Sequence, residues 1–149
     1  MIKPDRTLRF TTDEGTWISL DVSPDGHSIV FDLLGDLYII PIEGGAARRI
    51  THGMSWDGMP RWSPTGNAIA FVSDRDGNDN LWLVAPDGDA LRRLTQEVDY
   101  AFSSPSWSPD GQSIVARRVG TYPAADNYIT NVPLWMVNVN GGKGAQLFP

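Results

Sequence analysis

Two histidines, His27 and His52, are the only imidazoles in the 149 residues, and there is no cysteine. Zinc hydrolysis needs clustered ligands and an open coordination position. Two histidines 25 residues apart, without a His-x-His pair or His-Glu-x-x-His, do not supply that cluster. The segment Asp74-Arg75-Asp76-Gly77-Asn78-Asp79-Asn80 opens like a calcium loop, with acidic or amide residues at alternate positions. It then fails, because Asp79 stands where the loop needs Gly and Ala85 where it needs Glu. The segment is read instead as a hairpin turn. Gly141-Gly142-Lys143-Gly144 lacks the Ser or Thr that follows Lys in a phosphate loop. No Gly-x-Ser-x-Gly elbow occurs. The expectation is a chain with no catalytic constellation, no metal site and no cofactor.

The elements that carry these residues repeat. Ser23-Pro24-Asp25-Gly26 recurs as Ser63-Pro64-Thr65-Gly66 and Ser108-Pro109-Asp110-Gly111, with starts 40 and 45 residues apart. Apolar residues follow at two-residue spacing: Ile29 and Phe31, Ile69 and Phe71, Ile114 and Ala116. A turn followed by alternation reads as a hairpin opening into a strand. A second apolar run comes next, at Leu37–Ile40, Leu81–Val84 and Leu134–Val137. A Gly-rich turn then leads to Arg48-Arg49-Ile50-Thr51, Arg92-Arg93-Leu94-Thr95 and Ala145-Gln146-Leu147-Phe148. Leu37 to Thr51, Leu81 to Thr95 and Leu134 to Phe148 each span 14 residues. All length variation falls between the second and third strands, which places insertions on one face of the array.

Each repeat holds four strands, A to D, and no segment carries a helical period. Four short strands at a 40–45-residue period are the signature of propeller blades. The predicted fold is therefore all-β: a partial β-propeller of three four-stranded antiparallel blades. Leu8-Arg9-Phe10-Thr11 matches a D strand and predicts one extra outer strand within residues 1–12. Blade 1 then covers 13–51, blade 2 covers 52–95 and blade 3 covers 96–149. Trp62, Trp107, Trp82 and Trp135 are expected to fill the wedges between blades. His27 occupies an A–B turn where other repeats carry Asn67 and Gln112.

The chain has 15 Gly and 11 Pro, a joint share above the roughly 12% of average chains, which suits many turns. The formal charge of −6 disfavours nucleic acid as a partner. No apolar run is long enough to span a membrane as a helix. Met1–Arg6 lacks a signal-peptide layout, so the chain is cytoplasmic or an export signal lies outside it.

The stretch Trp62–Gly77, with Leu81-Trp82-Leu83-Val84 and Arg93-Leu94-Thr95, resembles the TolB-like β-propeller repeat. That repeat also accompanies hydrolase domains in prolyl oligopeptidase-like and tricorn-like proteins. Two further stretches, Arg9–Gly26 and Ile29–Tyr38, resemble the start of the N-terminal propeller of bacterial amidohydrolase-related proteins. There the metal ligands lie in a separate hydrolase domain, and no position here matches them. The resemblance implies a periplasmic or secreted setting. Blade 3 departs from the repeat, with Ala116 for Phe, Phe148 for Thr and a long insertion over Val119–Pro133.

Propellers close with about four to eight blades, so three blades leave two apolar faces uncovered. The expectation is a fragment of a longer propeller or a homodimer that completes a six-bladed ring. Two functions fit: a non-catalytic scaffold that binds a protein or peptide, or a substrate-gating propeller serving an in-cis catalytic domain. D–A and B–C loops should share one rim. Candidate ligand-binding residues there are Asp13, Glu14, Trp17, His52, Trp56, Asp57, Asp99, Tyr100 and Phe102, with Tyr122, Asp126, Asn127 and Tyr128 from the insertion. Aromatic and acidic side chains together would suit a peptide or a cationic ligand.

Overall fold

The computed structural model describes residues 10–120 and 133–148. Twelve strands occur there, and among the described residues there is no helix. Blade 1 consists of β1 (Leu20–Val22), β2 (Ser28–Leu33), β3 (Asp36–Pro41) and β4 (Arg48–Arg49). Blade 2 consists of β5 (Asp57–Trp62), β6 (Ile69–Ser73), β7 (Asn80–Val84) and β8 (Arg92–Arg93). Blade 3 consists of β9 (Tyr100–Trp107), β10 (Ser113–Gly120), β11 (Leu134–Asn138) and β12 (Ala145–Gln146). Each sheet is antiparallel, with its strands in chain order.

The Ser-Pro-x-Gly turns set the A–B hairpins through their side chains. Ser23 Oγ accepts from the Ser28 amide at 2.9 Å and donates to Asp25 Oδ1 at 2.5 Å. Ser108 repeats both bonds with Ser113 and Asp110. The last turn residue needs a positive φ, which is 76° at Gly26, 73° at Gly66 and 69° at Gly111.

The core is two seams between blades. In the first, Val30, Leu37 and Ile50 of blade 1 meet Trp62, Ile69, Phe71 and Val84 of blade 2. In the second, Ala70, Val72, Leu81, Leu83 and Leu94 of blade 2 meet Phe102, Ile114, Ala116 and Val137 of blade 3. Strand alternation explains the split: Ile69 and Phe71 face one neighbour, Ala70 and Val72 the other. Blade 2 is covered on both sides, so every residue of β6 is buried. Burying a Phe or Ile side chain of this kind contributes about 1.5–3 kcal/mol.

Polar contacts pin the seams. The Trp62 amide donates to Asp21 Oδ2 and the Met59 amide to Asp32 Oδ2, both at 2.8 Å. Arg48 reaches the Pro86 carbonyl of the next blade at 2.7 Å, and Arg92 reaches that of Val139 at 2.8 Å. The second arginine of each pair turns to its own blade, Arg49 to Asp36 and Arg93 to Asp76. Trp107 Nε1 donates to the Arg61 carbonyl at 3.0 Å.

Among the described residues, the end blades keep one open face each. On blade 1, Leu20 and Val22 are exposed beside Ile29 and the stacked Phe31–Tyr38 pair. On blade 3, Leu134 and Met136 are exposed. Of the expected extra strand within residues 1–12, only residues 10–12 are described. Phe10 and Thr11 belong to no strand and are exposed, while Leu8 and Arg9 lie outside the described residues.

Candidate functional site

The D–A loops and B–C turns meet along one edge, and specific hydrogen bonds hold them there. The Asp57 amide donates to the Gly35 carbonyl at 2.9 Å, joining the 52–56 loop to the blade 1 B–C turn. The Trp56 amide donates to Asp74 Oδ1 at 2.7 Å, joining the same loop to the blade 2 B–C turn. Asn78 Nδ2 donates to the Tyr100 carbonyl at 2.6 Å, and the Phe102 amide to the Asp79 carbonyl at 2.8 Å. The acidic segment 74–80 is thus a turn in which Asp74, Arg75, Asp76, Asn78 and Asn80 spend their side chains on bonds. Asn80 Oδ1 accepts from Thr95 Oγ1 and the Glu97 amide, both at 2.8 Å. Among the described residues, no cluster of three metal-ligating side chains exists.

Several candidate residues stand free on this edge. Trp17 is 97% exposed, at a φ of 61°, and Asp13 and Glu14 are exposed in the same loop. His52 and Asp99 are exposed, and Trp56 is half exposed. Tyr100 is partly covered, because the Arg118 guanidinium lies 3.6 Å from its ring centre. Tyr122, Asp126, Asn127 and Tyr128 lie outside the described residues.

Two candidates are corrected. Asp57 is fully buried on β5, not on a rim. It pairs in register with Ser73, whose hydroxyl donates to it at 2.5 Å, and it is ion-paired with Arg75 at 2.5 Å. A buried carboxylate must be compensated in this way, so its oxygens are unavailable to a ligand. Phe102 is also buried, because its ring enters the second seam.

The sequence reasoning passed over Leu34, Met54 and Val98, which are 75%, 73% and 76% exposed. All three sit in the same B–C and D–A connections, so their connection type was the available signal. The edge therefore combines exposed apolar side chains with carboxylates. Burial raises the Asp36 carboxyl above its ordinary pKa, against the pull of Arg49. Burial, with Asp74 nearby, does the same to Asp79. Such an edge can hold an apolar segment while its acids attract positive charge.

Known proteins resemble the chain in sequence and in fold. The chain is 40% identical over 81 residues to the uncharacterized peptidase YuxL of Bacillus subtilis, covering 54% of this chain and 12% of that one. It is 36% identical over 97 residues to an uncharacterized protein of Agrobacterium fabrum, covering 62% and 33%. The solved structure assigned to TolB from Agrobacterium tumefaciens superposes with a TM-score of 0.77 at 28% identity, covering 91% of this chain and 50% of that one. The chain thus spans half or less of each of these relatives. The family model of the TolB β-propeller domain matches residues 3–129. With three four-stranded blades already in place, that match settles the family: the chain belongs to the TolB β-propeller domain family.

Proposed function

We propose that the chain is a non-catalytic propeller module that binds a protein or peptide along its D–A and B–C loop edge. The observation that carries this reading is the row of exposed apolar side chains, Trp17, Leu34, Met54 and Trp56, set among Asp13, Glu14 and Asp99. An extended peptide alternating leucine and lysine is the matching probe. Titration followed by tryptophan fluorescence should saturate, and Trp56→Ala should weaken binding about tenfold, as an aromatic anchor does. Binding unchanged in a Trp17→Ala/Leu34→Ala/Trp56→Ala variant would remove the assignment.

A second reading is favoured by the similarity to a protein described as a peptidase. Here the propeller filters or positions substrate for a catalytic domain of the same polypeptide. That domain is of the peptidase or amidohydrolase kind. If the gene continues past Pro149, a Gly-x-Ser-x-Gly downstream supports the former and a His-x-His stretch the latter. Neither motif downstream would leave the binding module alone.

The open faces of blades 1 and 3 are, on this proposal, covered by further blades of a ring. Those blades come from the same polypeptide or from a second copy. Light scattering separates the two, since a homodimeric six-bladed ring doubles the mass. A well-folded monomer at micromolar concentration would exclude the homodimer.

A further inference from the structure

Blade 3 departs from its sister blades at three positions that bear on one cavity. In blades 1 and 2 a Phe pairs across the ladder with the C-strand aromatic: Phe31 with Tyr38, Phe71 with Trp82. In blade 3 the partner of Trp135 is Ala116. The phenyl ring that occupies this place in the other blades is missing. Ten residues after the turn Ser, blades 1 and 2 carry Leu33 and Ser73, whereas blade 3 carries Arg118. Nine residues after the first C-strand Leu, they carry Ala46 and Ala90, whereas blade 3 carries Lys143.

Arg118 and Lys143 line a half-open cavity of about 420 Å3 on the seam between blades 2 and 3, and Ala116 lies behind its Trp135 wall as the ladder partner of that residue. Phe102, Trp135, Arg118 and Lys143 line it, together with Glu97 from the end of the blade 2 D strand. That volume is in the range of small-molecule sites, roughly 300–1,000 Å3. The cations are not balanced. Glu97 holds only Nη2 of Arg118, at 3.0 Å. Arg118 Nε is buried without an acceptor, and Lys143 pairs with no carboxylate among the described residues. Tyr100 and Trp135 flank the guanidinium, with ring centres 3.6 and 4.5 Å away, and keep it in place. Trp135 is itself fixed by its Nε1 bond to the Lys143 carbonyl at 3.1 Å.

We infer that this cavity is a binding site for an organic carboxylate with an apolar body, such as the C-terminal residue of a peptide. Two cations facing one carboxylate leave room for one negative charge, which a carboxylate supplies. The Trp135 and Phe102 rings offer an apolar wall for the rest of the ligand. None of Trp17, Leu34, Met54 and Trp56, the apolar residues that carry the proposed loop-edge binding, lines this cavity, so either can fail alone.

N-acetyl-phenylalanine tests the assignment, with its amide and inorganic phosphate as controls. The full chain is titrated by NMR, following the Trp135 indole and Lys143 amide signals. The acid should saturate these signals and the amide should not. Lys143→Ala should cost about tenfold in affinity, the size of one charge-assisted contact, while Lys143→Arg keeps it. The inference is overturned by equal binding of acid and amide, or by no saturation up to about 10 mM, the weak limit for a specific small-ligand site. Phosphate binding as tightly as the acid would also overturn it, because the apolar wall would then contribute nothing.

Discussion

The Leu81 amide donates to Thr95 Oγ1 at 2.9 Å in the buried interior of blade 2. The Leu37 amide does the same to Thr51 Oγ1, also at 2.9 Å, in blade 1. In blades 1 and 2 this bond joins the two ends of the 14-residue spacing; in blade 3 the spacing ends at Phe148, which has no hydroxyl to accept it. Thr95→Val keeps the shape and removes the acceptor, leaving the Leu81 N–H buried and unpaired. The expected loss is about 1–3 kcal/mol of unfolding free energy. Urea denaturation measures it, and Thr95→Ser should recover most of the loss.

What could be read from the sequence was whatever local chemistry enforces. The Ser-Pro-x-Gly turns bond to themselves, so they announce their hairpins without help from the rest of the fold. The seam residues follow from alternation, and Trp62 and Trp107 fill wedges as expected. Asp57 was misread because its partners are remote. Ser73, the last residue of β6, and Arg75, in the turn after it, are 16 and 18 residues away, and only the fold brings them to Asp57. Phe102 was misread because the D–A loop gives no sign of where β9 begins. The stacking of Arg118 on Tyr100 and Trp135 joins three strand ends and has no sequence signature at all.

Buried Asp57 and partly buried Arg75 form an ion pair, and their removal should be strongly non-additive. Arg75→Met leaves the Asp57 charge uncompensated in the interior and exposes the Trp82 ring, which the guanidinium covers at 5.1 Å. The expected cost is about 3–5 kcal/mol. Asp57→Asn in the same chain removes the stranded charge and should restore part of it. A double-mutant cycle by chemical denaturation checks this, and additive losses would contradict the pairing.

Gly88 sits where blade 2 touches blade 1. Its φ is 96°, and a Cβ there would lie 2.9 Å from the Ile50 carbonyl oxygen. The neighbouring Pro86 carbonyl takes the Arg48 bond, so the turn cannot easily back away. Gly88→Ala should therefore cost more than the conformational term alone, about 1–3 kcal/mol. Gly26→Ala is the control, since its φ is also positive but its Cβ would meet nothing within 4 Å. Thermal unfolding of the two variants should separate strain from contact.

The turn aspartates give the fold an acid-side dependence of known sign. The Ser108 hydroxyl, and then the Gln112 amide, hold the Asp110 carboxyl below its ordinary value of 3.8. Ser23 and the His27 amide do so for Asp25. A carboxyl depressed in the folded state contributes stability that is present above the unfolded value and is lost as pH falls through the folded one. Asp36 and Asp79, raised by burial, act in the opposite sense and weaken the fold as pH rises through their elevated values. Ser108→Ala should return Asp110 toward 3.8, read by carbon NMR of the carboxyl across the acid range. It should also flatten the acid limb of the stability curve. An Asp110 titration unmoved by Ser108→Ala would show that the Gln112 amide, not the hydroxyl, sets the carboxyl.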